Sequence, residues 1–295
     1  MTTTDPVLRR GEGRDAVVLE RHYPHPIERV WSAVTAAEHL AHWFPGAPEI
    51  ELRRGGAVRF PDFAGDPAEF GAVLECEAPR RLRFTWDSDE MLFELAEDGD
   101  GTRFVLTHTF DDAAGAASFA TGWEACLEGL ASVLSGAEVI DPGSRRARHE
   151  ELAELFGLGR PVLEETADGW TGRIERQLVC SAQTAWELFL GGGEAPAGEP
   201  PVLVVGEELR APRAPEVVLG YLTEVRPPTL LSFDTADDEP GDAVRLELTD
   251  GTGHGARMIL TVAGTDPAQQ EAALEQWGDG ADAIAAAALP AGDDT

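Results

Sequence analysis

Lysine and asparagine are absent from this chain of 295 residues, so every basic side chain other than histidine is an arginine. Without lysine there is no Schiff-base nucleophile and no P-loop cation. Both missing amino acids have A-rich codons, so a GC-rich coding sequence accounts for their joint absence. Positive charge is scarce altogether: 23 arginines face 54 acidic residues, for a net charge of −31. A surface this negative repels phosphate backbones and anionic membranes, which argues against a nucleic-acid or membrane partner. Cysteine is scarce too. Cys76, Cys126 and Cys180 have no paired spacing, so neither a disulfide framework nor a zinc knuckle is expected. They read as small packed side chains in a reducing cytoplasm, the expected location. No apolar run reaches the roughly 18 residues of a membrane span. The N-terminal stretch MTTTDPVLRRGEGRD lacks the apolar segment of a secretory signal.

What the chain does contain is a repeat, and its length allows two domains. Glu20, Arg21 and Trp31 recur as Glu175, Arg176 and Trp186. The stretch GAVLECEAPRRLRFTW at 71–86 lies over GYLTEVRPPTLLSFDT at 220–235, matching Gly71, Glu75, Pro79, Leu82 and Phe84 with Gly220, Glu224, Pro228, Leu231 and Phe233. Glu94 and Leu95 match Glu247 and Leu248. Arg103, Leu106, Thr107 and Trp123 match Arg257, Leu260, Thr261 and Trp277. Order is kept throughout, which chance does not explain.

Periodicity gives the structure of one copy. Residues 16–23 alternate as a strand. Pro26 suits the first turn of a short helix, and a second short helix over 36–42 ends before Pro45. A hairpin over 48–60 turns at Gly55-Gly56, and four strands follow near 68–77, 80–87, 90–97 and 102–110. A long helix over 115–136 puts Phe119, Trp123, Cys126, Leu127, Leu130 and Leu134 on one face. Strand alternation groups Leu82, Phe84 and Trp86, and separately Phe104, Leu106, His108 and Phe110. The expected fold is α+β: two domains, each a curved antiparallel sheet wrapped around a long C-terminal helix with an internal cavity. Expected boundaries are a flexible 1–15, a first domain at 16–140, a connecting helix and linker at 141–168, and a degenerate second domain at 169–290.

The segments RHYPHPIERVWSAVTAAEHLAHWFPG, ELRRGGAVRF and GAVLECEAPRRLRFTW, with Gly122-Trp123 opening the last helix, resemble the START/Bet v1-like (SRPBCC, helix-grip) superfamily. Within it they are similar to the branch named after the C-terminal domain of the Hsp90-ATPase activator, including START-like proteins of bacterial polyketide and enediyne pathways. The resemblance covers about 16–136 well and the second copy less well. Trp31 to Gly71 spans 40 residues but Trp186 to Gly220 only 34, because GGGEAPAGEPP at 191–201 replaces EHLAHWFPG. The second copy is therefore expected to lack the second short helix and to have a different pocket mouth. The resemblance implies a pocket for an apolar small molecule such as a polyene or polyketide intermediate. It leaves open a cyclase/aromatase-type enzyme, a self-resistance protein and an Hsp90-activator-like co-chaperone. It implies no cofactor.

No G-x-S-x-G, P-loop or H-E-x-x-H motif is present. His39 and His42 share a helical spacing without a third convergent ligand, so no metal is expected. His108, among apolar neighbours, is the one candidate for acid/base work or ligand orientation, the alternative being a core histidine bonded to a neighbour. The expected pocket-lining set is Trp43, Phe44, Phe70, Phe84, Trp86, Phe93, Phe104, His108, Phe119, Trp123 and Leu127 in the first copy, and Tyr221, Phe233 and Trp277 in the second. The carboxylates recurring with arginines, Glu20 with Glu175 and Glu94 with Glu247, read as cross-strand ion pairs.

Overall fold

A computed structural model describes residues 2–61, 71–141, 143–192, 202–253 and 255–291. The chain divides into two compact units, Met1–Leu152 and Ala153–Thr295. In the first, alternating apolar residues build β3 (Asp15–Tyr23), β6 (Val73–Glu77), β7 (Arg81–Trp86), β8 (Asp89–Asp98) and β9 (Gly101–Phe110). They pair antiparallel in the order β3-β9-β8-β7-β6. Between β3 and β6 lie α1 (Ile27–Thr35), α2 (Ala37–Leu40) and the small hairpin β4 (Glu49–Ile50) with β5 (Val58–Arg59). Helix α3 (Ala116–Ser135) closes the unit and stops where Gly136 turns left-handed, at φ 70°. Its residues Ala116, Ala120, Trp123, Leu127, Leu130 and Leu134 recur at three- and four-residue spacing and are buried.

The second unit repeats this plan. Strands β11 (Gly169–Gln177), β13 (Ala214–Arg226), β14 (Leu230–Thr235), β15 (Ala243–Asp250) and β16 (Ala256–Gly264) pair as β11-β16-β15-β14-β13, with α5 (Ala182–Leu190) and a closing helix α6 (Gln270–Ala291). Strand β12 (Glu208–Ala211) extends that sheet along β13. The register is the same in both units. Phe93 faces Leu106 as Leu246 faces Leu260, and Leu19 faces Leu106 as Ile174 faces Leu260. Glycine recurs at 71 and 220 for one reason: a Cβ there would lie 1.9 Å from the Thr85 carbonyl oxygen and 2.1 Å from that of Asp234. The α+β fold of two helix-grip domains follows directly from the alternation.

The repeat also reaches further upstream than residue identities suggest. Residues 1–15, expected to be flexible, instead supply β1 (Thr2–Thr3) and β2 (Val7–Arg9), both paired with β3. Buried Arg21 donates to the Thr4 carbonyl, and Arg148 donates to Asp5 at 2.7 Å, which ties this stretch down. Residues 162–166, expected as linker, form β10 (Val162–Thr166) against β11. Val7 pairs with Val18, and Val162 pairs with Arg173, the same places one repeat apart. Polar sequence hid these strands because each is an edge strand with much of its surface in water. Helix α4 (Arg146–Leu155) occupies the expected connecting segment.

The recurring carboxylates are ion-paired across strands. Glu20 meets Arg103, Glu94 meets Arg81 at 2.6 Å, and Glu175 meets Arg257 at 2.8 Å. Burial pushes the Glu175 carboxyl up, but hydrogen bonds from Arg173 and Arg257 outweigh it and hold the group below the ordinary carboxylate value. A carboxylate depressed in the folded state stabilises at pH values above its unfolded pKa, and that contribution disappears as pH falls through the folded value. Urea titrations at pH 7 and pH 3.5 should therefore show a larger loss of second-unit stability on acidification for the native protein than for Glu175→Gln. Equal losses would remove the pair from the acid response.

Candidate functional site

In the first unit the expected pocket-lining side chains are packed on one another. Trp43, Phe44, Phe84, Phe93, Phe104, His108, Trp123 and Leu127 are buried, and Trp86 and Phe119 are half-buried. Phe70 lies outside the described residues. Phe44 is the hub. It follows α2, on the EHLAHWFPG segment, and its ring centroid lies 5.2–6.3 Å from those of Trp43, Phe60, Phe84, Trp86, Phe93 and Trp123. These are the tilted and edge-on separations at which aromatic rings attract.

His108 is held inside this cluster. Trp123 Nε1–H donates to His108 Nδ1 at 3.0 Å, which makes Nδ1 the acceptor and places the ring proton on Nε2. That nitrogen faces Asp89 Oδ2 at 2.9 Å. Both nitrogens are thus engaged within the protein, the geometry of a satisfied core histidine. Replacing His108 by valine leaves the Trp123 donor and the Asp89 acceptor without this partner. A loss of about 1–3 kcal/mol in first-unit stability is expected in a denaturant titration.

The second unit holds a cavity of about 470 Å³ between the sheet and its helices. Leu188, Phe189 and Leu190 of α5, Leu209 of β12, Leu219 and Leu222 of β13, Leu246 of β15, and Met258 and Leu260 of β16 form its walls. Helix α6 contributes Trp277, Ala281 and Ile284. Val202 and Leu203 add apolar surface, while Glu207, Glu208 and Arg210 supply charge. Arg210 is itself bound to Glu208 and to the Pro215 carbonyl at 2.7 Å.

Of the described residues expected to line a pocket, Trp277 alone lines this one. Phe233 is buried with its ring 5.6 Å from that of Trp277. Tyr221 is 49% exposed and points away, while its neighbour Leu222 lines the cavity. One residue along a strand changes the face.

The shared register explains why this unit is hollow. Where the first has Phe93, Phe104 and Leu127, the second has Leu246, Met258 and Ala281, all three on the cavity wall. Trp86, His108 and Phe119 are likewise answered by Thr235, Val262 and Ala273. Nothing aromatic occurs in GGGEAPAGEPP, which stands where Trp43 and Phe44 stand in the first copy. Whether that stretch carries the expected altered mouth falls largely on 193–201, outside the described residues. The lining residues were missed because aromatic side chains were taken as the signal. The informative signal was the reverse, a smaller residue at each repeat position.

Trp277 differs from its counterpart in one further respect. It is 7% exposed, and its Nε1–H is buried without any hydrogen-bond partner. Trp123 uses His108, but Val262 offers no acceptor.

Among the described residues no group of three or more His, Cys, Asp or Glu side chains is placed to hold a metal ion. No described helix is long and apolar enough to cross a membrane. The three cysteines are free thiols, Cys180 buried and the others half-buried.

Residues 24–135, within the first unit, match the family described as Activator of Hsp90 ATPase homolog 1-like protein. Among solved structures, CalU16 from Micromonospora echinospora is 28% identical over 53% of this chain and 99% of its own, with a TM-score of 0.43. EF2215 from Enterococcus faecalis, a conserved protein of unknown function, is 22% identical over 52% of this chain and 90% of its own, with a TM-score of 0.45. DynU16, a protein of the dynemicin biosynthetic locus, covers 94% of this chain and 98% of its own at 16% identity and a TM-score of 0.37. No curated protein matches the sequence significantly.

Proposed function

We propose that this chain binds a hydrophobic small molecule, and that the cavity of the second unit is where it does so. The observation that carries this reading is an apolar-walled space of about 470 Å³ at the positions where the first unit is filled with aromatic rings. That volume is within the range of roughly 300–1,000 Å³ of small-molecule sites. The charge of the chain favours a ligand without acidic groups. Glu207 and Glu208 stand at the cavity, the one cation beside them is engaged, and a net charge of −31 repels anions. A neutral polyene or polyketide-type carbon skeleton suits such walls and is the class to test first, with a part in secondary metabolism as the corresponding role. The cyclase reading rested on His108, and the bonds to both its ring nitrogens weaken it.

Native mass spectrometry of protein expressed in its own host, with solvent extraction, should recover a discrete neutral apolar mass. Titration with Nile red, a neutral apolar dye, should show saturable binding. Protein that carries no lipophile and binds neither the dye nor any of a panel of polyenes and polycyclic ketones would overturn the proposal.

A further inference from the structure

We infer that the ligand of this cavity is not a pure hydrocarbon but carries a neutral oxygen acceptor, such as a ketone, ester or ether, which takes the hydrogen bond of Trp277 Nε1–H. This rests on the cavity being the binding site. A buried indole N–H without a partner costs free energy of the same order as a lost hydrogen bond, so native proteins rarely leave one. The other buried side-chain nitrogens without a bond, among the described residues, are arginine Nε atoms, and an arginine has further N–H groups with which to bond. Trp277 has a single donor, and it is unused.

The first unit is an internal control. At the equivalent position Trp123 Nε1–H is satisfied by His108 at 3.0 Å, and Trp123 packs into the filled aromatic cluster. Trp43 and Trp170 also bond through Nε1, each to a backbone carbonyl at 3.0 Å. At Trp277 two changes coincide: the acceptor position holds Val262, and the indole lines a cavity. Phe233 offers only an aromatic ring, and N–H···π contacts are second-order beside an oxygen acceptor. Apolar sites commonly have a few placed polar groups that set ligand orientation. With Arg210 bound to Glu208 and Pro215, Trp277 is the donor left to play that part here.

The test uses the full chain and two matched probes, 2-acetonaphthone and its hydrocarbon analogue 2-isopropylnaphthalene. The ratio of their dissociation constants is measured in the native protein, in Trp277→Phe and in Val262→His. Trp277→Phe keeps an aromatic wall without the donor. Val262→His restores the first unit's acceptor and so occupies the donor. Both substitutions should shift the ratio against the ketone by about five- to tenfold. The indole ¹H–¹⁵N resonance of Trp277 should move on adding the ketone and stay in place with the hydrocarbon. If both probes bind, the ratio is the same in all three proteins and the resonance does not respond, the inference is overturned while the cavity reading survives. If neither probe binds, the cavity reading itself fails and takes the inference with it.

Discussion

Phe44→Ala is expected to lower the stability of the first unit by about 3–5 kcal/mol, the usual loss for truncating a buried phenylalanine. Its side chain is buried, with six aromatic rings within 6.3 Å between centroids. Those rings come from α2's following turn and from β7, β8 and α3, so they cannot all close in on a methyl group. The unrelaxed part of the space remains as a cavity, and cavity volume is what raises such losses toward the upper end. Urea titration followed by near-ultraviolet circular dichroism reads the effect. A second consequence is expected in the same variant, a gain of Nile red binding in the first unit. A loss below 1 kcal/mol would show that Phe44 is not the filler of that core.

The reverse operation tests the second unit. Met258→Phe combined with Ala281→Leu installs the first unit's residues on two walls of the cavity, one on β16 and one on α6. The added side-chain atoms enter existing space, so the usual penalty of overpacking does not arise at full strength. Nile red affinity should fall at least about tenfold, because a ligand then competes with covalently held carbon for one volume. The second unit should be as stable as before, or more so, since filling an apolar cavity recovers packing and burial. Undiminished dye binding by a folded double variant would place the binding site elsewhere in the chain.

These two experiments share one argument. Two sheets with the same strand register differ in what their inward side chains occupy. Leu106 and Leu260 sit opposite Phe93 and Leu246 respectively, so each comparison is made at a fixed backbone position. Exchanging ring for branched chain, as at Phe93 and Leu246, decides whether a helix-grip core closes or stays hollow.

The sequence by itself determined the duplication, the order of strands and helices, the antiparallel α+β architecture and the inward set of β7, β8 and β9. Period-two alternation and the matching of Gly71 with Gly220 are local properties, legible one segment at a time. It also gave the cross-strand pairs of Glu20 and Glu175, because like residues recur on facing strands. It did not give the edge strands at Val7–Arg9 and Val162–Thr166. Their partners are chosen by β3 and β11, and their own residues are largely solvated. Only the tertiary structure decided which aromatics line a space and which fill one. A cavity is the difference between the room that a sheet and its helices enclose and the volume that side chains from five or more distant segments put into it. No single segment carries that difference, so the copy that looked degenerate in sequence is the one with room for a ligand.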